Sequence, residues 1–93
     1  CMGPTTIAKA LEGSDVHAKL TVGTDKEKSP YDIAGISQGM EKTGAAVEMK
    51  TIREVLTDKE NKIVTAPCYM MDASIVEVHD NVQDAVEELY RLF

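Results

Sequence analysis

Residues 16–22, VHAKLTV, alternate Val16, Ala18, Leu20 and Val22 against His17, Lys19 and Thr21. A period of two with one apolar face predicts a half-buried strand. What flanks that strand restricts the fold. Before it, GPTTIAKALE (3–12) carries Pro4 where a first helical turn tolerates a missing N–H, and sets Ile7, Ala8, Ala10 and Leu11 on one side, with Gly13 as the stop. After it, GTDKEKSP (23–30) is a charged, aperiodic loop, and residues 31–43 return to helical spacing through Ile33, Ile36 and Met40. Gly35 and Gly39 lie inside that second helix. Each costs about 1 kcal/mol against Ala, which suggests close packing on a sheet. Gly44 ends it.

Beyond Gly44 the apolar runs shorten. AAVEM (45–49) and TIREVLT (51–57) are strand-like, DKEN is a polar turn and KIVTA returns, so 52–57 and 62–66 predict a hairpin. From Asp72 onward, Ile75, Val76 and Val78, then Val82, Ala85, Val86, Leu89, Leu92 and Phe93 keep helical spacing. Asp80 followed by Gln83 resembles a capping box, which predicts two consecutive helices or one kinked near His79–Asp80. The order helix, strand, helix, strands, helix is that of an α/β protein, without an opening strand. Ninety-three residues make one small domain with one modest core.

Composition narrows the function classes. A formal charge of -6 and the lack of a basic stripe disfavour nucleic acid and anionic lipid. No apolar run has the length of a membrane span, and the first residues lack the order of a signal peptide. A removed leader would leave no trace. Two cysteines, Cys1 and Cys68, without CxxC spacing argue against a disulfide scaffold and for a reducing compartment. With His17 and His79 they lack the short paired spacing of structural zinc ligands. No metal and no cofactor is expected. His17 falls in the polar phase of the strand and His79 just before the expected cap, so neither reads as a catalytic base.

The residue with the most chemistry is Cys1. A thiol just before a helix meets the unpaired N–H groups of the first turn and the positive end of the dipole, which favour thiolate. Gly3 lets backbone approach a substrate, and the Met2 N–H can face a developing oxyanion. This is the helix half of a nucleophile elbow. Cys is also commonly a small buried hydrophobe, which is the alternative for this position.

Taken in order, CMGPTTIAKALEG, AKLTVGTD and DKENKIVTAPCYMMDASIVEVHD resemble the C-terminal half of the PfpI superfamily, which includes class I glutamine amidotransferase-like proteins. LTVGT, PYDIAGISQGMEKTGA and NKIVTAPCYM are most similar to its ElbB-type, or enhancing-lycopene-biosynthesis, branch. The resemblance implies the C-terminal part of a flavodoxin-like three-layer sandwich with a mostly parallel sheet, residues 1–93 forming a single partial domain. It implies that Cys1 is the elbow nucleophile and that the loop with Pro67 and Cys68 borders its pocket. An N-terminal half would precede Cys1 and carry the glutamate that pairs with the thiol. A homodimer of the complete protein is expected, in the cytoplasm, or in the mitochondrial matrix if a leader is removed.

Departures from the family patterns restrict the chemistry. TAPCYM has no His where glutaminase members carry theirs, and Met2 stands where protease-like members have His. What is left is glyoxalase-like lyase chemistry, a thiolate adding to a reactive aldehyde such as a 2-oxoaldehyde. Two alternatives stay open: an N-terminal-nucleophile hydrolase using the α-amino group of Cys1 as base, and a non-enzymatic redox-responsive or interaction module sensing oxidants through the same thiol.

Overall fold

The computed structural model describes residues 1–93. Helix α1 (Gly3–Ala10) starts with Pro4 in its first turn and buries Pro4 and Ala8. The chain leaves it past Leu11 and reverses at Gly13, whose φ of +79° lies in the left-handed region that a Cβ disfavours. Strand β1 (Lys19–Leu20) pairs in parallel with β2 (Ala46–Val47), Lys19 opposite Ala46 and Leu20 opposite Val47. Between them helix α2 (Ile33–Glu41) supplies the crossover that a parallel pair requires.

The strand expected over 16–22 is shorter, and its alternation fails at both ends. Val16 is exposed, while Thr21 is fully buried along with Leu20 and Val22. Thr21 tolerates burial because its polar atoms are paired: its N–H donates to Thr65 Oγ1 at 3.1 Å, and its hydroxyl accepts the Gly23 N–H at 3.2 Å. Residues 21–24 are all buried, so no polar phase is left to read. Gly23 ends this stretch at φ +125°, and a Cβ there would lie 2.6 Å from Met71 Sδ. Only glycine lets the chain pass so close.

The glycines of α2 act differently from the sequence expectation. Asp32 caps this helix by accepting the Gly35 N–H at 3.1 Å, and a Cβ at Gly35 would lie 2.3 Å from the Asp32 carboxylate. Gly35 makes room for the cap, and Gly39 faces open space. Neither packs against a sheet.

The hairpin is present in contracted form. Strands β3 (Leu56–Asp58) and β4 (Ile63–Thr65) pair antiparallel, Leu56 opposite Thr65. Residues 51–55 turn instead of extending, because Glu54 accepts the Thr51 N–H while its own N–H donates back to Thr51 O. The buried Asp58 ties the hairpin to β1. It accepts from Lys19 N–H at 2.9 Å, Asn61 N–H at 3.1 Å and the Asn61 side-chain amide at 2.8 Å. Burial alone would push its carboxyl up, but those hydrogen bonds and the Lys19 charge outweigh it and hold the group below the ordinary carboxylate range. The strands thus form the expected parallel pair, β1 with β2, and beside it the antiparallel ladder of the expected hairpin.

The last helix, α3, runs unbroken from Ile75 to Arg91. The expected break near His79–Asp80 does not occur, because the capping box is earlier: Ser74 Oγ accepts the Glu77 N–H, and Glu77 accepts the Ser74 N–H. SIVE is itself an S-x-x-E pattern, and Asp80 sits inside the helix. One apolar cluster joins α1, β1 and α2 through Ala8, Ala18, Leu20, Val22, Ile33 and Met40, with Met70 from a 3-10 turn (Cys68–Met70). A smaller one joins Ile52, Met71 and Val78 of α3. No helix is long and apolar enough to cross a membrane.

Candidate functional site

Cys1 is exposed at the N-terminal edge of α1. Its backbone nitrogen donates to the Ala66 carbonyl at 2.9 Å, so residue 1 lies beside the chain leaving β4, and α1 departs from that point. Met2 is the N-cap residue but offers no side-chain cap. In its place the Met2 carbonyl accepts from the Thr5 N–H and the Thr5 hydroxyl.

Beside Cys1 opens a groove of about 290 Å³. Gly3, Pro4 and Ile7 of α1 form one wall, Val64 to Ala66 the floor, and Val82, Ala85, Val86 and Leu89 of α3 the other wall. Cys1 and Cys68 both line it, and they are its only ionisable side chains. The walls are apolar: Pro4 and Ile7 of α1 and Val82, Val86 and Leu89 of α3 line them, and α3 packs on β4 and the 3-10 turn but leaves Val86 60% exposed.

The expected site residues separate here. Cys1, Gly3 and Cys68 share the groove. Met2 is outside it and about half-exposed, and Pro67 is fully buried without reaching the groove surface. The histidines are elsewhere: His17 Nδ1 pairs with the Gly44 carbonyl at 2.9 Å, and His79 Nδ1 with Asp80 at 3.3 Å on the exposed side of α3.

Cys68 is held in an unusual way. Its φ of +50° lies in the left-handed region, one of only two non-glycine residues there. Such a conformation costs of order 1–3 kcal/mol and persists where neighbours enforce it. The neighbour is Asn81. Its Oδ1 accepts the Cys68 N–H at 2.8 Å, its Nδ2 donates to the Glu54 carbonyl at 2.9 Å, and the side chain is fully buried. A single amide thus fixes α3 to the Cys68 turn and to the turn before β3. Sequence reasoning missed Asn81. The available signal was a polar residue at helical spacing between Val78 and Ala85, on the inward side of α3.

No family model matches the chain. Over 95 aligned residues it is 32% identical to the rat "ES1 protein homolog, mitochondrial", covering 99% of this chain and 34% of the relative. It is 33% identical to the human "glutamine amidotransferase-like class 1 domain-containing protein 3, mitochondrial", covering 33% of that protein. The chain therefore spans about a third of the length of these curated relatives. Among solved structures it superposes on an isoprenoid biosynthesis protein with an amidotransferase-like domain from Ehrlichia chaffeensis with a TM-score of 0.80 at 21% identity. That match covers 99% of this chain and 38% of the other. The chain's relatives are thus glutamine amidotransferase-like class 1 domain proteins, and its α/β fold is the amidotransferase-like, flavodoxin-type one.

Proposed function

We propose that Cys1 is a thiolate nucleophile toward a small reactive aldehyde, a 2-oxoaldehyde being the chemical class, in a protein of the ElbB-type, glyoxalase-like branch. The observation that carries this reading is the combination at Cys1: an exposed thiol at the start of α1, opening on an apolar groove with no competing acid or base. A thiolate adds to the aldehyde carbon, the carbonyl oxygen takes the charge, and a hemithioacetal forms. Completing such a reaction requires an acid/base group to move the proton. The groove walls of residues 1–93 supply none, and the chain spans about a third of its relatives' length, so this reading draws that group from residues outside 1–93. Amidotransfer from glutamine is the less supported reading, since a cysteine glutaminase needs a histidine base and both histidines are engaged away from the groove. The relatives' names include "mitochondrial", which makes the mitochondrial matrix the favoured compartment in this proposal.

The test is turnover of methylglyoxal by the full-length protein. Wild type is expected to consume it, and Cys1→Ser to lose that activity by orders of magnitude, as nucleophile removal does. Absent turnover in wild type, or equal turnover in Cys1→Ser, overturns the reading.

A further inference from the structure

The groove exposing Cys1 holds a second thiol, and we propose that Cys1 and Cys68 form a reversible intramolecular disulfide under peroxide. Both cysteines are free and both line the same groove. Their proximity is set by backbone. Cys1 is hydrogen-bonded at its nitrogen to the carbonyl of Ala66 at 2.9 Å, and Cys68 is two residues further on. Two residues span at most about 7 Å even when extended. Here Pro67 is helical, with φ -61° and ψ -44°, and Cys68 is left-handed, so the step is shorter than that limit. Cys1 and Cys68 thus flank the same Ala66 carbonyl and share one groove, and a bridge needs their Cα atoms to settle about 4.4–6.8 Å apart. Asn81 holds the Cys68 turn in place by accepting its N–H, and the half-buried Cys68 is the less accessible of the two thiols.

The chemistry balances with a peroxide as oxidant. The Cys1 thiolate attacks one peroxide oxygen, an S–O bond forms, the O–O bond breaks, and hydroxide leaves. Sulfur is thereby oxidised by two electrons to sulfenic acid. Cys68 sulfur then attacks Cys1 sulfur, the S–S bond forms and the S–O bond breaks. The departing hydroxide takes the thiol proton and leaves as water. Two thiols and one peroxide have become one disulfide and two waters. The bridge removes the nucleophile from the groove, so its effect on aldehyde turnover rests on the reading above, while its formation does not.

The experiment treats full-length protein with a several-fold molar excess of hydrogen peroxide, blocks remaining thiols with iodoacetamide, and reads intact mass and peptide maps without reductant. Wild type is expected to lose two hydrogens, to protect Cys1 and Cys68 from alkylation together, to yield the Cys1–Cys68 linked peptide, and to revert with dithiothreitol. Cys68→Ala and Cys68→Ser are each expected to carry Cys1 on to sulfinic acid, a gain of two oxygens. Wild type that accumulates sulfinic Cys1 with Cys68 still alkylatable overturns the proposal. So does a bridge from either residue to another cysteine, or one that joins isotopically heavy and light copies. A bridge formed by a protein without aldehyde turnover leaves this inference standing and removes the aldehyde reading alone.

Discussion

The two sides of this molecule use similar residues to opposite ends. Around β1, Ala8, Leu20, Val22, Ile33 and Met40 are closed off from solvent by α1 and α2. Along α3, Val82, Val86 and Leu89 are comparably apolar and spaced as regularly, yet they stay open as the wall of the groove. Leu20 has no exposed surface while Val86 keeps 60% of its own. Periodicity therefore reports which face a residue shares, and the number of elements meeting that face decides whether it is core. The β1 side is a stability element; the α3 side is an apolar surface left open beside Cys1.

The contrast breaks most readily at its extremes. Leu20→Ala is expected to cost about 2–5 kcal/mol as a buried truncation, whereas Val86→Ala is expected to cost under about 1 kcal/mol because it removes surface already in water. Denaturant titration of both variants checks this, and similar losses would show that the groove wall is closed in solution. A smaller effect is expected at the polar joint between the two sides. Asn81→Ala leaves the Cys68 N–H and the Glu54 carbonyl without partners, a loss of about 2–3 kcal/mol. Hydrogen exchange should place the new opening at residues 67–70, and a uniform loss of protection would argue against a local joint.

The smallest effect is electrostatic and belongs to the closed side. The Asp58 carboxyl is depressed on folding, so its contribution is present above the unfolded value of about 3.9 and disappears as pH falls through the lower folded value. Asp58→Asn is expected to lose roughly 1 kcal/mol near neutral pH and to show a flatter acid limb in thermal melts. An unchanged acid limb would assign the pH dependence to other carboxylates.

Much of this was legible in the residues. The helix–strand–helix order, the hairpin and the first turn of α1 around Pro4 follow from period, turn residues and proline placement. The groove could be read only in part. Cys1 and Gly3 stood out locally, but the α3 wall joins them through packing that no local pattern encodes. Thr21 shows why burial was misassigned, since a polar side chain satisfied by neighbours distant in sequence looks from the sequence like a solvent position. The misplaced capping box has a different origin. Ser74–Glu77 and Asp80–Gln83 are both plausible caps by spacing, and Val78 and Asn81, which anchor α3 on both sides of the expected break, favour one continuous helix.

The two ladders also differ in the chain entropy needed to close them. β3 and β4 meet across the short turn 59–62, so their pairing follows from a local encounter. β1 and β2 meet only after the chain has travelled out through 21–32 and back along α2. Each doubling of a flexible loop adds about 0.6 kcal/mol to its closure cost, and parallel registration of so few residues returns little until the crossover helix is docked. The hairpin is therefore expected to close first, and the parallel ladder to follow the docking of α2 against Leu20 and Val22.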